Sequence, residues 1–390
     1  MEVLHPNIVI FLKLMKSTFY WYDEDPPTSL WDRCRRIYQY SRVVLFVLLF
    51  IQNVVGLYNT DGFGIAEGSF LHFPVCIQLV VINGMVFYSR KALIKLTTTL
   101  NKHFIESNEP WMIAISNKYT VPLWKMIKIM KVYHFYANIA FFLSPFIADT
   151  ILHYGFDALE KPFYMPTPTT AWMATNATWD LQYYSVVFLG LWSMQEVMAV
   201  VMGFIYNYSI LLIFALIQLT IMNEKVKAMK LDGTQKEVDA EFKAIVDSHN
   251  DIIRLNADLK SFLGVQCAFQ SLFSSFTITL CLFTATQRPE FVVRTSFAWG
   301  AVFYASTTFI YCSLGQLLEN KSSELFYALY DLPWYRCSPK VRKDLNMIMR
   351  QSHNSLLVDY HGHFKMNFES YMQIIQQAYS YFTLLNSMAG

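Results

Sequence analysis

Between Ser370 and Gly390 the chain carries no charged residue, yet six polar side chains recur there at helical spacing. Gln373, Gln376, Gln377, Ser380, Thr383 and Ser387 follow steps of three, four and seven and share one face of a helix. Ile374, Ile375, Tyr379, Phe382 and Leu385 cover the remainder. About 20 such residues suffice to cross a bilayer. An amide or hydroxyl left unsatisfied in hydrocarbon costs several kcal/mol, so the stripe must face protein or water. Two readings follow: a helix hydrogen-bonded to its neighbours in a bundle, or a helix that lines an aqueous pore.

Little else in the chain offers reactive chemistry. It has no phosphate-binding Gly-rich loop, no H-E-x-x-H and no G-x-S-x-G, so no enzyme activity is expected. His361 and His363 flank Gly362 with a spacing that suits a metal but also suits a solvated turn. The turn is the simpler reading, and neither a metal nor a cofactor is expected. Glu196 is the lone acid within a long apolar run, 181–223. Carboxylates placed inside a membrane generally serve a function, although a run this long also allows a structural or solvated position.

The elements that must carry these residues are apolar. The chain is 54% hydrophobic and 15% charged, against a usual ~25% charged. Its net charge of +2 implies neither a nucleic acid nor an acidic partner. Uncharged stretches at 43–60, 68–89, 132–148, 197–223, 261–287, 295–318 and 370–390 predict an all-α polytopic membrane protein with seven transmembrane helices. The fourth helix is expected to project beyond the bilayer. No cleavable leader is expected in the first 37 residues.

Of the 31 Lys and Arg residues, 28 fall before the first stretch or in the 2–3, 4–5 and 6–7 connections. Lys161, Arg288 and Arg294 are the exceptions. Basic residues stay in the cytoplasm, which predicts a cytoplasmic N-terminus and an extracellular C-terminus with cytoplasmic helical extensions. Residues 236–260 and 340–358 alternate charged and apolar positions as amphipathic helices do. The external 3–4 connection holds the sequon Asn176-Ala177-Thr178, a candidate acceptor for glycosylation. None of the six cysteines falls in an external connection, so no disulfide framework is indicated.

The outer halves of stretches 2, 3, 4 and 6 are rich in aromatics. They hold Phe73 and Cys76, Phe142 and Phe146, Tyr184, Phe188 and Trp192, and Val302, Phe303 and Tyr304. Aromatics so placed mostly pack or sit at the membrane interface. Together with a few hydroxyls they also suit an apolar pocket for a small volatile ligand.

Two stretches resemble the insect odorant receptor family. One is Tyr311-Cys312-Ser313-Leu314-Gly315-Gln316-Leu317, continuing through Ser322 and Ser323 to Ala328, Tyr330 and Trp334. The other is the run Ala378-Tyr379-Ser380-Tyr381-Phe382-Thr383-Leu384-Leu385-Asn386-Ser387. The resemblance implies an odorant-gated, non-selective cation channel, built as a heterotetramer with the odorant receptor co-receptor. It would sit in the plasma membrane of olfactory sensory neurons, in contact with a small volatile odorant, the lipid bilayer and permeant cations. The long 4–5 insertion of the co-receptor is missing, so the resemblance is to a ligand-tuned subunit. It further implies helices and an outer-half pocket over 1–320, a cytoplasmic anchor segment over 321–369, and a pore-lining helix over 370–390. Gln377, Ser380, Leu384, Ser387 and Met388 would line or gate the pore. A gustatory-type ligand-gated channel is the nearest alternative. A G-protein-coupled receptor is opposed by the charge asymmetry, and a transporter by the lack of an internal repeat.

Overall fold

The computed structural model describes residues 4–17, 29–59, 69–138, 144–157, 181–229, 234–287, 291–353 and 355–389. Apart from a 3-10 turn at Trp334–Arg336 and one isolated bridge, its elements are α-helices. They run α1 (Pro6–Ser17), α2 (Leu30–Asn59), α3 (Ser69–Tyr88), α4 (Arg90–Glu106), α5 (Pro110–Asn138), α6 (Ser144–Tyr154), α7 (Leu181–Ala228), α8 (Gln235–Gln287), α9 (Phe291–Tyr330), α10 (Pro339–Ser352) and α11 (Phe368–Ala389).

The centre is built by α7, α8 and α9, and the lower part of α7 is its most enclosed element. At 48 residues α7 is roughly 72 Å long, more than twice the ~30 Å of a hydrocarbon core. Nearly every residue from Val200 to Asn223 is buried. Phe214 receives the edges of Phe11 from α1 and Phe104 from α4, at 6.3 and 4.9 Å between ring centres. Farther along, Asn223 donates to the Lys321 carbonyl at 3.0 Å. The apolar run expected to be the fourth span is therefore, in its second half, enclosed by other helices of the chain, with α1 and α4 packed on it at Phe214. A continuous apolar sequence cannot distinguish these two settings, because lipid and core both exclude water.

Other boundaries shift for similar reasons. The third span was expected at 132–148, but α5 begins at Pro110 and buries a seam of Met112, Ser116, Thr120, Leu123, Ile127 and Met130. α9 continues to Tyr330. The amphipathic helix expected at 340–358 ends at Ser352. Residues 355–359 are not helical; there Ser322 accepts the Leu356 N–H at 2.8 Å and Ser323 pairs with Ser355 at 3.0 Å. Leu357 and Val358 are buried from this non-helical segment. The turn at 361–363 is tight: His361 and Gly362 both have positive φ, and Tyr360 and His363 exchange two backbone hydrogen bonds. Two successive positive φ angles mark a two-residue hairpin turn.

The amphipathic start of α8 buries Val238, Phe242 and Ile245, and α10 buries Val341, Leu345 and Ile348. Between these helices His249 is 5% exposed and lies 3.1 Å from Ser352 Oγ. Burial holds its imidazole below the ordinary value, so the folded protein binds fewer protons than the unfolded chain once pH falls below about 6.5. Stability is then fully present above that pH and declines below it. The melting temperature of the detergent-solubilised protein should fall between about pH 7.5 and about pH 5.5. His249→Gln should flatten that slope by part only, since burial also lowers His5 and His103.

Candidate functional site

The last helix, α11, is anchored at its root before it is anchored along its length. Asn367 caps it, accepting the Ser370 N–H at 3.0 Å, and donates to Glu319 at 3.3 Å. Gln316 accepts the Phe368 N–H at 3.2 Å. Phe309 stacks on Phe368 at 6.0 Å and meets Tyr371 edge-on at 5.4 Å. Gly315 lets the α9 backbone touch the Met366 carbonyl, and Cys312 Sγ lies 4.0 Å from Met366 Sδ. The 311–317 motif is thus the socket for the chain that feeds α11.

Along its length α11 buries one narrow face. Ile374 and Ala378 are inside at 3% and 1% exposure, and Leu385 packs on the cluster of Leu280, Cys281 and Ala301. Thr279 donates to the Ala378 carbonyl at 3.0 Å, and Gln287 to Asn386 at 3.3 Å. At 100° per residue the polar stripe lies opposite this face. Gln373, Gln376, Gln377, Ser380, Thr383 and Ser387 are all exposed. Leu384 and Met388 flank that stripe and are 58% and 77% exposed. The packing reading of the stripe, within one chain, is thereby excluded for these six residues. Their hydroxyls turn to the helix itself: Ser380 to Gln376, Thr383 to Ser380 and Ser387 to Leu384.

The aromatic set is only partly assembled. Phe303 is buried at 4% exposure and meets Tyr304 edge-on at 5.6 Å. Its other side stacks on Tyr133 of α5 at 6.1 Å, a residue absent from the sequence-derived set. Tyr133 follows directly on the 2–3 connection, and only the length of α5 reveals that it faces Phe303. Tyr184 exchanges a 3.0 Å hydrogen bond with Tyr154 of α6. Val302, Phe188 and Trp192 point outward, at 50%, 73% and 39% exposure. The side chains of Phe73, Cys76 and Phe146, and both Phe142 and Asn176, lie outside the described residues.

Glu196 acquires a partner that its own neighbourhood in sequence does not contain. Arg42 Nε of α2 sits 2.8 Å from its carboxylate, and the Tyr38 hydroxyl donates to the other oxygen. Arg42 is 2% exposed, so it does not belong with the solvated basic residues before the first span. The carboxylate is held in a structural ion pair.

A helical bundle in which, among the described residues, three helices are long and apolar enough to cross a membrane, and whose last helix turns its polar face away from its own chain, fits the class of multi-pass membrane proteins. The comparisons narrow this class. Residues 76–379 match the family model described as 7tm odorant receptor, and the chain belongs to that family. It is similar to odorant receptor 22c of Drosophila melanogaster, 24% identical over a stretch covering 40% of each chain. Similarity to the odorant receptor coreceptor of Aedes aegypti is 22% identity over 36% of this chain and 30% of that one. The matched stretch therefore spans well under half the length of these curated relatives. Among solved structures, the olfactory receptor OR5 of Machilis hrabei in complex with eugenol superposes with a TM-score of 0.79. That match covers 98% of this chain and 97% of the other at 14% identity, which establishes the shared fold.

Proposed function

We propose that the chain is the ligand-tuned subunit of an odorant-gated, non-selective cation channel, assembled with co-receptor subunits in the plasma membrane of olfactory sensory neurons. The observation that carries this reading is the outward polar stripe of α11. The hydroxyls of the stripe bond to carbonyls of α11 itself, but the exposed amides of Gln376 and Gln377, two hydrogen-bonding groups each, call for water or another subunit at membrane depth, and a shared axial pore provides both. Seven spans would be drawn from α2, α3, α5 with α6, α7, α8, α9 and α11, with the basic connections in the cytoplasm. Contact of Phe214 with α1 and α4 supports a fourth span in the N-terminal part of α7, above the enclosed core.

Leu384 and Met388 are placed to form a hydrophobic gate that closes by dewetting. The odorant, a small aromatic or heterocyclic volatile, would be held in the outer half near Phe303, Tyr304 and Tyr184. Burying it contributes about 25 cal/mol per Å2 of apolar area, and opens the channel only to the extent that the open form binds it more tightly.

Currents evoked in oocytes by an aromatic odorant panel, eugenol included, test the reading. Current is expected only when the chain is expressed together with the co-receptor. Leu384→Ala should raise the ligand-free leak several-fold, because a smaller side chain wets the constriction. Currents with unchanged leak and selectivity in Leu384→Ala would remove α11 from the pore, and no current from a surface-expressed pair would remove the channel reading.

A further inference from the structure

Midway along α11, its tie to α8 is a hydroxyl. Thr279 of α8 is 1% exposed, and its single hydroxyl proton has two carbonyl oxygens within reach. One belongs to Ser275, a turn earlier in its own helix, at 2.8 Å. The other belongs to Ala378, on the narrow buried face of α11, at 3.0 Å.

A hydroxyl so placed makes a reversible joint. If α11 moves away, the Thr279 proton stays with Ser275, and the Ala378 carbonyl keeps its helical N–H donor four residues on. No buried group is stranded by the separation. The contact between α3 and α8 is of the opposite kind. There Gln78 donates to Gln270 at 2.7 Å with both side chains buried, so parting them would strand a donor and an acceptor in an apolar interior. The rest of the α8 seam is also separable. Leu385 rests on Leu280, Cys281 and Ala301 through apolar contact, and Gln287 reaches Asn386 over a long 3.3 Å near the far end of both helices. The root is not separable in this way, because Gln316 and Glu319 hold Phe368 and Asn367 while Gly315 touches the Met366 backbone. α11 is fixed at one end and releasable along its length.

We propose that Thr279 is a positioning residue that latches α11 in the closed arrangement of the pore, its proton passing from the Ala378 carbonyl to that of Ser275 as the gate opens. The proposal rests on the pore reading of α11 given above. In that reading the arrangement described is the closed one, since Leu384 and Met388 both stand on the exposed side beside the polar stripe.

Ligand-free leak and odorant responses would be recorded in oocytes from the co-receptor pair carrying Thr279→Val, in which a methyl group of similar size replaces the hydroxyl. One interhelical hydrogen bond corresponds to about a three- to tenfold change in the ratio of closed to open forms. The leak per surface receptor should rise by about that factor. The half-activating concentration of the most potent odorant in the aromatic panel should fall at the same time, because the open form is then reached with less ligand. Thr279→Ser keeps the hydroxyl and should restore the wild-type leak. Thr220→Val removes a buried hydroxyl that donates at 2.7 Å to the Leu216 carbonyl of its own helix, and should leave the leak unchanged. An unchanged or lower leak in Thr279→Val would overturn the latch, and so would an equal rise in Thr279→Ser or Thr220→Val. A loss of surface protein with the leak per receptor unchanged would make Thr279 a packing residue only. Leu384→Ala, recorded alongside, separates the two layers of inference. A raised leak there without one in Thr279→Val leaves α11 in the pore and removes the latch alone, whereas no change in either variant would overturn both.

Discussion

Gly315→Ala is expected to remove most of the protein from the cell surface. A Cβ built on Gly315 overlaps the Met366 carbonyl oxygen, and lies 3.0 Å from the carbonyl carbon and 3.3 Å from Met366 Cβ. What it meets first is backbone, so no rotamer change relieves the clash. The chain before α11 would have to move away from α9. Gln316 would then lose the Phe368 N–H, Glu319 would lose Asn367, and Phe309 would lose its two aromatic partners. Overpacking typically costs about 1–3 kcal/mol when side chains yield, and a moved backbone puts this case at the upper end or beyond. Surface biotinylation and size-exclusion profiles of a fluorescent fusion would measure the loss. Gly264→Ala should be milder, since its Cβ approaches the Asp359 carbonyl oxygen at 2.8 Å. Wild-type surface levels in Gly315→Ala would mean that α11 is not rooted on α9 as closely as described.

The second large effect concerns the pair between α2 and α7. Arg42→Met alone should strip Glu196 of its partner, and Glu196→Leu alone should strand Arg42 at a site where it is 2% exposed. Removing one member of a buried ion pair costs about 3–5 kcal/mol, whereas replacing both by apolar residues of similar size is often neutral. The double variant Arg42→Met/Glu196→Leu is therefore expected to melt closer to the wild type than either single variant. Tyr38→Phe should cost less, about 1.5–3 kcal/mol, because it removes one hydrogen bond to a charged group and leaves the pair. Thermal midpoints of the four solubilised proteins form a double-mutant cycle. Strictly additive losses would show that Arg42 and Glu196 do not act as a pair.

These cases separate what one-dimensional pattern carries from what it cannot. The polar stripe of α11 is a periodic feature, and periodicity survives in sequence whatever surrounds the helix. So the stripe, its flanking Leu384 and Met388, and the amphipathic faces of 236–260 and of α10 were all legible before any coordinates. The 311–317 motif could be recognised as family-like, but not explained. Its reason is that Gly315 touches Met366, a contact between segments far apart in the chain.

The sequence by itself determined the membrane-embedded helical class, the charge asymmetry and the polar last helix, because each depends on composition or on spacing within one element. Tertiary structure alone decided three further matters. It paired Glu196 with Arg42, enclosed within other helices an apolar run that reads equally well as lipid-facing, and turned Phe303 onto Tyr133 while leaving Phe188 and Trp192 outside. The physical reason is common to all three. Hydropathy records how strongly a side chain avoids water, but only packing decides whether lipid, a core or a partner helix takes water's place.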